Sequence, residues 1–359
     1  MIVAVAALWA VLLGSANAAV AAPAAGAQRG MRVDSAVIAG LVPVGTRAAP
    51  RWAAIGPGAA ALGQRCFHVT ATIPVRQRPD AVAVNPKTNT IYVANHGSTV
   101  SVINGHTNSV VATITVASLP NGVAVNPSTN TAYTTGAIDG DVSVIDGKTN
   151  TVTATIPLGT RLGRVAVNPN TNTVYVAEIL ADAVAVINGR TGSLVATIPV
   201  NPGPFGVAVN PSTNTVYVTS GNGMMAVING RTRTVTATIL VTGSAVAVDP
   251  KTNTGYVTNG LNPGKVSVIN GQTNTVTTTI PVGQLPSGMA VNPSTNTGFV
   301  ANEQDSTVSV INGQANKVAA TVPVSAGSVN AAVNPGTNTA YVTNGLFQGK
   351  VSVLTPCPS

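Results

Sequence analysis

The stretch Asn-Pro-Ser-Thr-Asn-Thr-Val-Tyr-Val-Thr, residues 210–219, decides the fold. Pro211 presets φ for a turn and Asn214 tolerates a left-handed backbone, while Thr215 to Thr219 is the β-branched and aromatic run of a strand. Gly206 to Val209, just before it, is a second short apolar run, so the segment is the turn and returning arm of a hairpin. An Asn/Asp-Pro pair followed by x-Thr-Asn-Thr occurs seven times, starting at Asn85, Asn126, Asn168, Asn210, Asp249, Asn292 and Asn334, at spacings of 39 to 43 residues. That period is too long for one turn of a β-helix and fits a four-stranded propeller blade. The expected fold is all-β: a seven-bladed β-propeller closed by an N-terminal strand that completes the last blade.

In the fourth unit the remaining strands are expected at Met225 to Ile228 and Thr234 to Leu240. They are joined by an Asn-Gly pair that recurs, once as Asp-Gly, at Asn104, Asp146, Asn188, Asn229, Asn270 and Asn312. Such a pair predicts a tight hairpin with both central residues at positive φ. Ala83, Ala124, Ala166, Ala208, Ala247, Ala290 and Ala332 each lie two places before an Asn/Asp-Pro pair, where small residues relieve crowding near an axis. All six tyrosines (Tyr92, Tyr133, Tyr175, Tyr217, Tyr256 and Tyr341) hold one register, with Phe299 in the remaining blade. A residue repeated in every blade is packing, not a stacking site.

The second strand reads Tyr-Val-Thr-Asn at Tyr256 to Asn259 and again at Tyr341 to Asn344. Over about residues 66 to 355 the chain resembles the YVTN-repeat β-propeller family, akin to surface-layer-associated and other exported propellers. The resemblance implies a cell-surface or periplasmic setting and little about activity, since propellers host both enzymes and binding modules.

The last unit lacks the fourth strand that ends the others. Val69 to Val75, at the other end of the chain, has the missing sequence, Val-Thr-Ala-Thr-Ile-Pro-Val. Alignment of this split blade with blade 6 sets Cys357 on the position of Gln314 and Cys66 on that of Ala315, at the tip of the one hairpin without a covalent turn. In an oxidising compartment the two cysteines should form a disulfide.

Ile2 to Leu13 is apolar and Ala16-Asn17-Ala18 is a small-residue cleavage site, so residues 1–18 read as a signal peptide, although no Lys or Arg precedes the run. Residues 19–65, rich in Ala, Gly, Pro and Arg, read as a tether, and 66–359 as the propeller. The expected location is secreted or attached to the cell envelope.

Only 8% of the chain is charged, against about 25% in ordinary domains, so departures from the repeat carry information. The Asn-Pro and Asn-Gly turns define a lower face, on which Lys87, Lys148, Arg190, Arg231, Arg233, Lys251 and Lys317 stand against Asp146 and Asp249. The variable loops define an upper face of nearly balanced charge. Its departures concentrate at blades 2 and 3, in Asp139, Asp141, Arg161, Arg164, Glu178 and Asp182, with Phe205 beside them as an apolar anchor. These are the candidate binding residues.

The histidines are His68, His96 and His106, and no His/Cys/Asp cluster has metal-ligand spacing. Asp139-Gly140-Asp141 falls short of a calcium loop. The expected role is a binding scaffold that presents its upper loops to a protein or glycan of the envelope. The alternative is a metal-dependent lactonase or lyase using His96. No cofactor is called for, and nucleic acid is disfavoured because Trp52 is the chief stacking candidate. Membrane contact is expected only through an uncleaved N-terminal segment, and the chain is expected to be a monomer.

Overall fold

Each repeat forms one antiparallel sheet whose strands follow chain order from the axis outward. In blade 1 these are β2 (Pro79–Asn85), β3 (Thr90–Asn95), β4 (Thr99–Asn104) and β5 (Ser109–Thr115). The computed structural model describes residues 66–345 and 349–358, so the expected signal peptide and tether lie outside the described residues. Seven four-stranded sheets result. Successive inner strands touch, and the seventh, β26 (Ser328–Asn334), touches β2, which closes the ring. The last sheet runs β1-β28-β27-β26. In it β1 (Phe67–Pro74) pairs with β28 (Lys350–Pro356), Ile73 lying opposite Val351. The N-terminal strand thus completes the blade and removes two open edges. Cys66 and Cys357 are disulfide-bonded with Cα atoms 5.3 Å apart, and the Cys357 N–H donates to the Cys66 carbonyl at 3.0 Å. A covalent link stands where the other blades have a turn.

The lower face is tied together by asparagines. The Asn of each Asn-Pro pair is buried, and its Nδ2 donates to Oδ1 of the left-handed Asn in the next blade. Asn85 to Asn130 measures 2.6 Å, and Asn126 to Asn172, Asn168 to Asn214, Asn210 to Asn253, Asn292 to Asn338 and Asn334 to Asn89 each measure 2.7 Å. The seventh link is missing. Asp249 is fully buried, its Oδ2 has no hydrogen-bond partner, and Asn296 Oδ1 opposite has none either.

The Asn-Gly hairpins differ from the expected tight turn. Asn104 pairs with Ser109, leaving a longer loop, and the left-handed residue is Asn108, with Asn150, Gly192, Arg233, Asn274 and Asn316 in the other copies. The Asn104 side chain instead accepts the N–H groups of His106 and Thr107. Glycine is needed for closeness rather than for φ. A Cβ on Gly189 would sit 2.4 Å from Asn172 Oδ1, and one on Gly230 would lie 2.7 Å from the Tyr175 hydroxyl of the preceding blade. The same register buries all six tyrosines and Phe299 between blades, as packing.

The outer strands are exposed edges, and each is bent by a bulge where it pairs with the third strand. Bulges of this kind discourage edge-to-edge association. In four blades the bulged residue is Thr70, Thr153, Thr236 or Thr277, whose hydroxyl donates to a third-strand carbonyl.

Candidate functional site

At their upper ends the inner strands stop being copies. Each reads Val-Ala-Val-Asn or a near variant lower down, but six of the seven shift register against the second strand just inside the axial mouth. A bulge re-aims the side chain it carries. The residues carried are Asp80 in blade 1, Asn121 in blade 2, Gly163 and Arg164 in β10 (Leu162–Asn168) of blade 3, and Phe205 in β14 (Pro204–Asn210) of blade 4. Blades 6 and 7 contribute Ser287 and Val329. Five of these strands are entered through a left-handed residue: Arg78, Leu119, Gly203, Leu285 or Gly327. A left-handed non-glycine residue costs about 1 to 2 kcal/mol, so the sharp entry at Arg78, Leu119 and Leu285 is held by its surroundings.

Arg164 spans this mouth. Its Nη2 lies 3.1 Å from Asp80 Oδ1, its Nη1 donates to the Asn121 carbonyl, and its guanidinium carbon sits 5.4 Å from the Phe205 ring centroid. One side chain therefore links blades 1, 2, 3 and 4. His96, in the blade 1 upper loop, places Nε2 3.6 Å from Asp80 Oδ2. Burial pushes the Asp80 pKa up, but the Arg164 charge and His96 outweigh it and hold the carboxyl below its ordinary value. Glu303, from the blade 6 loop, is raised by burial and by the negative charge of Asp80. The mouth is thus a mixed surface of acid, base, amide and one aromatic ring, different at every blade.

Asp139 accepts the Ser118 N–H at 2.9 Å, which lowers its pKa, and Asp182 accepts the Gly203 N–H at 2.8 Å. Both, like Asp305 on Gln284, fasten an inter-blade linker to an upper loop. Asp141 opens β8 (Asp141–Asp146) opposite Pro157, and the Arg161 carbonyl accepts the Ile179 N–H. Glu178 ends β11 (Thr173–Glu178), buried, with Oε2 unpartnered and its pKa raised by burial. Blades 1, 6 and 7 have Asn95, Asn302 and Asn344 there, each bonded to a third-strand serine, where blade 3 has Ala185.

Asp80, Asn121 and Glu303 do not stand out in the sequence, because Arg164, which meets Asp80 and Asn121, comes from blade 3, and Glu303 feels the Asp80 charge from blade 6. Nor do Ile138 and Leu180, which are 66% and 73% exposed on the blade 2 and 3 upper loops. Leu240, at the upper end of the blade 4 outer strand, is 78% exposed as well. Among the described residues no three His, Cys, Asp or Glu side chains are grouped to hold a metal ion.

The ring has a counterpart among solved structures. It is similar to hydrazine synthase of Kuenenia stuttgartiensis, with a TM-score of 0.68 and 19% identity, over 78% of this chain and 95% of that one. At that identity the likeness concerns the propeller fold alone. No family model matches the chain, and no curated protein matches it.

Proposed function

We propose that this chain is an exported YVTN-repeat propeller of the cell envelope that recognises a protein or glycan partner at its upper mouth. The observation that supports this most is the placement of difference. Blades that are near-copies along their inner strands diverge at the bulged position, and the divergent side chains converge around the axis. Arg164 and Phe205 supply the Arg and aromatic pairing found at binding hot spots. Ile138 and Leu180 extend the surface outward over blades 2 and 3, and the acidic groups there hold the loops that carry it.

Capture from a native envelope extract tests the reading. Phe205→Ala with Leu180→Ser should remove the captured partner, with a modest loss of Tm that comes from the half-buried Phe205 ring against Arg164 and not from Leu180, which is 73% exposed. Arg164→Ala should also remove it, with some loss of stability because Asp80 loses its partner. Recovery of the same partner by the Phe205→Ala, Leu180→Ser variant would reject the mouth as the site.

A further inference from the structure

The position after each Asn-Gly or Asp-Gly pair reads His106, Lys148, Arg190 and Arg231 in blades 1 to 4, then Gln272 and Gln314 in blades 5 and 6. All four of the former are exposed. Equivalent positions of a repeat lie at one level along the ring axis, so these side chains form an arc on one side of the lower rim. Among the described residues the salt bridges lie at Asp80, and Lys148, Arg190 and Arg231 have no carboxylate within bonding reach. Of the two lower-face acids Asp249 is fully buried, which leaves Asp146.

The outer strands carry exposed aliphatic side chains as well: Val111 in blade 1 is 56% exposed, Leu194 and Val195 in blade 3 are 49% and 37%, Val235 in blade 4 is 39% and Val276 in blade 5 is 38%. We infer that this rim is a docking surface for an anionic lipid bilayer, with the bases at the headgroup phosphates and the aliphatic side chains against the interface. The bases sit on separate turn tips around a ring rather than along one groove, which suits a plane better than a linear polymer. Among the described residues no exposed Phe, Trp or Tyr side chain accompanies them on the lower rim, which disfavours single-stranded nucleic acid. Juxtaposed basic residues and exposed aliphatic groups are the two contributions that hold a peripheral protein at a charged membrane. The upper mouth then faces away from the bilayer. This surface stands apart from the recognition reading and does not depend on it, and it adds a membrane contact on the ring to the N-terminal one expected from the sequence.

The test is co-sedimentation of the full chain with phosphatidylcholine vesicles with and without phosphatidylglycerol. Binding is expected only with the anionic lipid, and should weaken with salt. Lys148→Gln, Arg190→Gln and Arg231→Gln together should weaken it by about fivefold per base, near a hundredfold in all, with Tm and envelope-partner capture unchanged. Val111→Ser with Leu194→Ser should weaken vesicle binding but leave binding to soluble polyphosphate as it was. Equal binding to neutral vesicles would overturn the inference. So would wild-type binding by the triple variant, which would place the contact away from these three turn tips. An aliphatic variant that binds vesicles normally would also overturn it, in favour of a site for polyanions in solution.

Discussion

Asp249→Asn should make the protein more stable, although it alters a fully buried residue. Six blade junctions carry an Nδ2–H···Oδ1 bond of 2.6 or 2.7 Å between asparagines. At the junction of blades 5 and 6 two oxygens, Asp249 Oδ2 and Asn296 Oδ1, take that place without partners. Asp249 Oδ1 already accepts the Lys251 N–H at 2.9 Å, a bond an asparagine keeps. The substitution therefore turns two facing buried acceptors, unpaired at about 1 to 3 kcal/mol each, into one donor–acceptor pair. Allowing for partial relaxation, a gain of about 2 kcal/mol is expected, or roughly 5 °C in Tm for a domain of this size. Tyr256, pushed up to about 12 by burial and by the Asp249 charge, should titrate lower in the variant. The reciprocal change Asn210→Asp should destabilise blade 4 by a similar amount. Thermal unfolding of the three proteins at neutral pH is the assay. An unchanged or lower Tm for Asp249→Asn would refute the reasoning, and would mean that the Asn296 amide already turns its Nδ2 to the carboxylate.

Three further outcomes follow from the same geometry. Mass analysis of the oxidised protein should find no free thiol, and Cys357→Ala should lower Tm, because the bond closes a loop spanning 291 residues, worth up to about 5 kcal/mol in chain entropy. Since the folded Asp80 pKa lies below its unfolded value, its contribution to stability is complete above the unfolded carboxyl range and is lost as pH falls through the folded value. Arg164→Met should raise the Asp80 pKa, seen by NMR titration of the carboxyl carbon, and shrink that acid-side contribution. Gly189→Ala should cost about 1 to 3 kcal/mol by overpacking against Asn172, whereas Gly97→Ala, with open space around it, should be near neutral in the same thermal assay.

The architecture was legible because it is written seven times. The repeated turns set the strand boundaries, the displaced Val69 to Val75 strand predicted the closure, and the two cysteines fell on adjacent positions of the split hairpin. The Asn-Gly turn was misread because the pair usually signals a two-residue turn. Here the glycine is required by the neighbouring hairpin's left-handed Asn, a contact no local pattern reveals. The mouth was legible in part. Arg164 and Phe205 stand out against a charge-poor repeat, but Asp80 looks like one more loop acid, since Arg164 is two blades further along the ring. Asp139 and Asp182 look like partner-facing acids in sequence, and only three dimensions show them holding linker amides.

Hydrogen exchange of the free protein against its complex with the captured envelope partner tests the recognition site most directly. Slowed exchange is predicted at residues 80–81, 121–122, 162–164 and 205–206, the bulged upper ends of the inner strands, and in the loops carrying Ile138 and Leu180. The lower turns should be unchanged. Protection confined to the Asn-Pro and Asn-Gly turns, with the mouth exchanging as in the free protein, would contradict the account.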